Sequence, residues 1–254
     1  MKLAGKVALI TGGNSGLGRS TAILFGKEGA KVAIVARNAQ TGNEVVDIIK
    51  KNGGEAIFIQ ADVAKAADCQ NAVETTIKTW GKIDVLFNNA GVELVKCLHE
   101  TTEEEWDMVM NTNLKSIFFT CKYTIPYMLA NGGGSIINTG SQLSLVAAPN
   151  FAAYTASKGA ILNLGRAMAL DYAKKNIRVN TFCPGAFATP LLLRQFEEKS
   201  GPQGSLEQLA ALHPMGRIGN PDEAAPAVLF LACQEDSSFV TGSALVVDGG
   251  YTAW

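Results

Sequence analysis

Charge is scarce in this chain and nearly balanced: 22 basic against 23 acidic residues leave a net charge of −1, and only 18% of positions are charged. No basic stripe is available to track a phosphate backbone, so nucleic acid is not an expected partner. Histidine is scarcer still, with only His99 and His213, and neither has a second ligand-type residue at helical spacing. No metal site is expected. The cysteines Cys69, Cys97, Cys121, Cys183 and Cys233 are odd in number, scattered and without a CxxC pair, which points to neither a disulfide framework nor zinc. Reduced thiols in a cytoplasmic protein fit that usage. Long apolar runs are missing as well: the longest, Ala224 to Cys233, contains Pro226 and falls well short of the ~20 residues that span a bilayer. No membrane association is expected, and because a strand-like run begins at Val7, neither is a signal peptide before it.

Apolar material, by contrast, is plentiful. Hydrophobic residues make up 47% of 254, enough for one large core, and α/β folds run to about 250 residues as a single unit, so one domain over residues 1–254 is expected. Short β-branched runs at Val7–Ile10, Val32–Val35, Ala56–Gln60, Val85–Asn88, Gly134–Asn138, Arg178–Cys183 and Ala244–Val247 alternate with helical stretches. The helical stretches are Leu17–Glu28, Asn43–Lys51, Cys69–Trp80, Thr102–Ala130, Tyr154–Lys174 and Asp222–Cys233. This alternation predicts an α/β fold, a doubly wound parallel sheet of seven strands of Rossmann type flanked by helices. The rhythm breaks at Pro190–Met215, which holds Gly201, Pro202 and Gly204 and is too long for a simple connector. We expect a mobile lid there, over about residues 190–215.

Directly after the first strand stands Thr11-Gly12-Gly13-Asn14-Ser15-Gly16-Leu17-Gly18, opening into a helix. Glycines at this place let backbone approach a pyrophosphate whose charge rests on the helix N-terminus. The spacing departs from GxGxxG and resembles the TGxxxGxG loop of the short-chain dehydrogenase/reductase family. Asn88-Asn89-Ala90-Gly91 resembles its NNAG motif, Tyr154 with Lys158 its YxxxK pair, and Pro184-Gly185 with Thr189 its PGxxxT segment, in family order along essentially the whole chain.

The resemblance implies a nicotinamide cofactor bound by Gly12, Asn14, Ser15, Gly16, Leu17 and Gly18, with Asp62 and Val63 at the adenine edge. It also implies Asn89, Ala90 and Gly91 beneath the ribose, and Pro184, Gly185, Phe187 and Thr189 near the carboxamide. Asp62 has a competing reading as the N-cap of the next helix. Where a free ribose 2′-hydroxyl would want an acid at the end of strand two, the chain has Ala36-Arg37-Asn38, which favours a 2′-phosphate and NADP(H). A solvated Arg37 with NAD(H) is the competing reading.

Tyr154 and Lys158 lie four residues apart, one helical turn, so an ammonium beside the phenol is expected to lower the tyrosine pKa toward neutrality. By resemblance Tyr154 is the acid/base, Lys158 its tuner and ribose ligand, Ser141 the carbonyl-orienting hydroxyl, and Asn113 the holder of a connecting water. Ser144 and Thr139 compete with Ser141, and Asn111 with Asn113. Glu93, Gln142, Leu145, Val146, Phe151, Leu191 and Leu192 are the expected substrate lining, suited to a medium-sized apolar alcohol or ketone. Together these imply an NADP(H)-dependent oxidoreductase. Reduction of a 3-oxoacyl carrier-protein thioester, with Lys174, Lys175 and Arg178 as the modest basic supply, is the alternative. A non-catalytic NADP-sensing regulator is the alternative of another class. Apolar faces on the two long helices point to an oligomer, and the family resemblance implies a homotetramer, a dimer of dimers.

Overall fold

Val7, Ala8, Leu9 and Ile10 are all buried, as a strand covered on both faces requires, and they form the middle of the sheet. The computed structural model describes residues 1–197 and 205–253. Its strands are β1 (Val7–Thr11), β2 (Lys31–Ala36), β3 (Glu55–Gln60), β4 (Val85–Asn88), β5 (Gly134–Thr139), β6 (Ile177–Pro184) and β7 (Ala244–Val247). They lie in the order β3-β2-β1-β4-β5-β6-β7 with every pair parallel. The predicted seven-stranded doubly wound sheet is the one observed.

Helices cover both faces. α1 (Gly16–Lys27), α2 (Ala39–Lys51) and α9 (Pro221–Ala232) bury Phe25, Ile49 and Val228 on one side. On the other side α3 (Ala66–Trp80), α5 (Ser116–Ala130) and α6 (Ala152–Tyr172) bury Val73, Ile117, Ile161 and Met168. Two helices begin three or four residues earlier than apolar periodicity indicates. Asn38 caps α2 by accepting from the Thr41 N–H, and Lys65, not Asp62, is the N-cap of α3.

The single helix expected over Thr102–Ala130 is instead α4 (Glu103–Met110), started by a capping box of Thr102 and Glu105, then a π-turn over Asn111–Lys115, then α5. The π-turn inserts a residue without breaking the helix. The Pro190–Met215 segment holds two short helices, α7 (Pro190–Glu197) and α8 (Leu206–Ala211). Gly201 and Gly204, expected to give it freedom, lie outside the described residues. Among the described residues no helix is long and apolar enough to cross a membrane.

One turn fixes how α5 hands over to β5. Gly133 has φ +131°, and a Cβ there would sit 2.3 Å from the Asn176 carbonyl oxygen, whereas a Cβ on neighbouring Gly132 would meet nothing. Gly133→Ala should therefore lower Tm by at least about 4 °C, and more than Gly132→Ala does. Thermal unfolding of both variants checks this, and equal losses would contradict it.

Candidate active site

The chain leaves β1 for β2 and β3, then returns to the other side of β1 as β4, so the loops after β1 and β4 diverge above the carboxyl edge. A cleft of about 1130 Å³ opens there. Its floor is bare backbone. Gly12 has φ +66°, and a Cβ on it would lie 2.9 Å from the Ala90 Cα, while a Cβ on Gly18 would lie 2.3 Å from the Gly12 carbonyl oxygen. Gly12 and Gly16 line the cleft, whereas buried Gly18 lies behind it and lets the loop close on α1. The Thr11 hydroxyl accepts from the N–H groups of Asn89 and Ala90 at 3.0 and 3.1 Å, and the Asn89 amide donates back to the Thr11 and Gly12 carbonyls. This is a cradle that side chains would fill, of the shape a dinucleotide pyrophosphate needs.

Asn14, Ser15, Leu17, Arg37, Asn38, Asp62, Val63, Gly91, Pro184, Gly185, Phe187 and Thr189 also line the cleft. Arg37 is exposed at one end, its carbonyl held by the Gln60 side chain at 2.9 Å. Asp62 accepts from the Ala64 N–H at 3.1 Å in a local turn.

At the other end α6 carries Tyr154 and Lys158 one turn apart. The buried Lys158 ammonium donates to the Thr139 carbonyl at 2.8 Å and lies 5.5 Å from the Tyr154 ring centre. Ser141 lines the cleft, while Ser144 does not: its hydroxyl accepts from the Ser141 N–H and donates to the Lys158 carbonyl at 2.8 Å, tying the β5 loop to α6. Asn113 sits buried behind the cleft in the π-turn. It accepts from the Val92 N–H at 2.8 Å and donates to the Val92 carbonyl and the Ser157 hydroxyl, so both amide hydrogens are committed to protein. Asn111 lies instead on an outer hollow with Phe118 and Leu164.

The electrostatics correct one expectation. Burial holds the Tyr154 hydroxyl above the usual phenol range, the Glu93 charge adds to this, and Ser141 offsets part of it. Removing solvent from the phenolate outweighs any help from an ammonium turned toward Thr139. Tyr154 is therefore a neutral phenol, able to give a proton. Burial also brings Lys158 down to about 8, with Glu93 opposing. Glu93 is itself raised by burial, against a 2.8 Å hydrogen bond from Gln195 of α7 and the pull of Lys158.

Of the expected substrate lining, Glu93, Gln142, Phe151, Leu191 and Leu192 reach the cleft. Leu145 and Val146 do not: the short turn Gln142–Ser144 carries them outward, and Leu145 is 42% exposed. Sequence reasoning missed Val95, Leu143, Leu209, Leu212 and Tyr251. The i,i+3 spacing of Leu209 and Leu212 was a usable signal, whereas Tyr251 is brought in by packing on His213, ring centres 5.3 Å apart.

Comparison with known proteins agrees in kind. A family model described as Enoyl-(Acyl carrier protein) reductase matches residues 12–252. The chain is 42% identical to a cyclohexanol dehydrogenase of Acinetobacter sp. strain SE19, over 99% of this chain and 97% of that one. It superposes with TM-score 0.93 on a short-chain type dehydrogenase/reductase from Mycobacterium marinum, at 33% identity over 99% and 97% of the two chains. It superposes with TM-score 0.89 on a 3-ketoacyl-(acyl-carrier-protein) reductase from Brucella melitensis complexed with NADH, at 35% identity over 98% and 99%.

Lys158 gives a stability test. Below pH 8 folded and unfolded chains both hold its proton, and the burial cost is fully felt. Between about 8 and the ordinary 10.5 only the unfolded chain holds it, so rising pH favours the fold. The stability of the parent minus that of Lys158→Met should rise by a few kcal/mol across this window. Urea unfolding of both proteins at several pH values reads this directly, and a pH-independent difference would contradict it.

Proposed function

Because this chain belongs to the short-chain dehydrogenase/reductase family of oxidoreductases, we propose that it is an NADP(H)-dependent enzyme that interconverts a mainly apolar alcohol and its ketone. The observation that carries this is the convergence of Tyr154, Lys158 and Ser141 at one end of a cleft whose other end is a side-chain-free cradle. When bound, the nicotinamide supplies or accepts the hydride.

The chain's own residues handle the proton. Tyr154, held neutral by burial, donates to the carbonyl oxygen in reduction and takes the proton back in oxidation. Ser141 donates to the same oxygen and shares its developing charge. Lys158, fixed by Thr139, holds the ribose and keeps positive potential near the phenol. Asn113 pins Val92 and, through Ser157, the Tyr154 backbone.

Arg37, exposed at the cleft end and making no ion pair among the described residues, supports preference for a 2′-phosphate. Apolar Leu191, Leu192, Leu209 and Leu212 on and beside α7 and α8 support a lid over about residues 190–215. Likeness to a cyclohexanol dehydrogenase supports ring-sized alcohols. Likeness to carrier-protein reductases favours the second reading, reduction of a 3-oxoacyl thioester. Its basic supply is thinner than the sequence indicates, because Arg178 is buried and spent on Gln234 and the Leu231 carbonyl. The retained tyrosine, lysine and serine argue against a non-catalytic regulator. Outward Met108, Phe118 and Leu170 support a homotetramer.

Tyr154→Phe should keep nucleotide binding and lower kcat at least ~10²-fold, the usual worth of a general acid. Fluorescence titration should give tighter NADPH than NADH binding, and Ala36→Asp should shift the preference toward NADH. Equal or tighter NADH binding by the parent would defeat the NADP assignment. In a substrate panel cyclic ketones should lead, and acetoacetyl thioesters taking first place would favour the second reading.

A further inference from the structure

The cleft holds a carboxyl group that the proposed acid/base chemistry leaves unused. Glu93 lines the cleft from the loop after β4. Its backbone is pinned, since Asn113 brackets the adjoining Val92 through both the N–H and the carbonyl. From the opposite side Gln195 of α7 donates to one Glu93 carboxylate oxygen at 2.8 Å. That bond uses the Gln195 amide as donor and leaves its oxygen buried without a partner among the described residues. Glu93 is thus held as an acceptor, and among the described residues this is its one side-chain hydrogen bond. Next to Ser141 the Gln142 side-chain oxygen is also buried without a donor, but it packs beside Gly185 and Asp248 and is closed to the cleft. Leu143, Leu191, Leu192 and Leu209 line the same cleft as Glu93.

A carboxyl group with acceptor capacity to spare, lining the same cleft as the group that handles the reacting oxygen, describes a ligand with a second O–H. We propose that Glu93 binds a second hydroxyl of the substrate, so that the preferred substrates are ring-sized diols or hydroxyketones in place of simple alcohols and ketones. The inference rests on the reading of the cleft as an alcohol/ketone site. A site built to hydrogen-bond a hydroxyl rejects the analogue lacking it far more strongly than an apolar pocket rejects a change of size, because the buried acceptor is then left unpaired. A neutral hydroxyl suits Glu93 better than an ammonium, since the positive charge of Lys158 already acts on it. Burial keeps the Glu93 carboxyl above its usual range, which agrees with a neutral partner.

Binding separates this from turnover. The Tyr154→Phe protein, loaded with NADP⁺ or NAD⁺, is titrated calorimetrically with cyclohexanol, with cyclohexane-1,2-, 1,3- and 1,4-diol, and with 2-aminocyclohexanol. At least one diol should bind ten-fold or more tightly than cyclohexanol. Adding Glu93→Ala should bring that ratio to within about two-fold of unity, and Glu93→Gln, which keeps an acceptor oxygen, should restore part of it. A merely structural Glu93 would weaken cyclohexanol and diol equally and leave the ratio unchanged, which overturns the proposal. So do equal affinities in the Tyr154→Phe protein, no binding of any of these alcohols, or an amino alcohol bound more tightly than every diol. Failure of the underlying reading shows elsewhere: Tyr154→Phe would then turn over cyclohexanol as the parent does, whatever the binding ratio.

Discussion

Two loops must come within van der Waals contact above the middle of the sheet, and most of the cleft follows from that approach. The loop after β1 and the loop after β4 meet where Gly12 passes Ala90, a contact closer than a Cβ tolerates. Thr11 stitches them with one hydroxyl shared between two backbone N–H groups, and Asn89 returns two bonds to Thr11 and Gly12. A side chain at Gly12 would force the loops apart and break that stitching. The cradle and the direction of the chain into Val92 and Glu93 both depend on the same closeness.

Beneath this contact lies a buried polar layer that holds β4, β5 and α5 in register. Asn88 of β4 donates to Asn138 of β5 at 2.9 Å and accepts from Thr120 of α5 at 2.7 Å. Buried hydrogen bonds of this kind contribute little net stability but cost heavily when one partner is lost, so they specify a single arrangement. The groups above them inherit that rigidity. Lys158 reaches the Thr139 carbonyl at the end of β5, and Ser144 ties the same loop to α6. The proposed acid/base and its serine are therefore set by strand and helix backbone more than by flexible loop.

The sheet was legible because strands covered on both faces read as unbroken apolar runs, as Val7–Ile10 and Val32–Val35 do. Helix starts at Ala39 and Ala66 were less so, because caps and a polar first turn precede the apolar stripe that periodicity detects. The roles of Tyr154, Lys158 and Ser141 followed from the family resemblance, but the acidity of the phenol did not follow from the spacing of the pair. Spacing reports a neighbouring ammonium and is silent on how much water the fold removes. Leu145 and Arg178 were misread for the same reason in opposite senses: one apolar residue is turned outward by a tight turn, and one cation is buried among carbonyl acceptors.

The π-turn over Asn111–Lys115 also bears on how this chain tolerates changes in length. It is one residue in excess of α-helical count, and each residue of an α-helix turns the axis by about 100°. Deleting one residue there would give a regular helix of good local geometry, and because the wider π winding has already absorbed the extra residue, everything beyond it would keep nearly its present facing. Deleting one within α5 before Thr120 would instead shift the phase by about 100°, so that Thr120 would leave Asn88 and the apolar stripe of α5 would swing off the sheet. An insertion in an exposed turn such as Gly53 is free of that coupling, so tolerance of length change follows angular phase along a helix and not local strain alone.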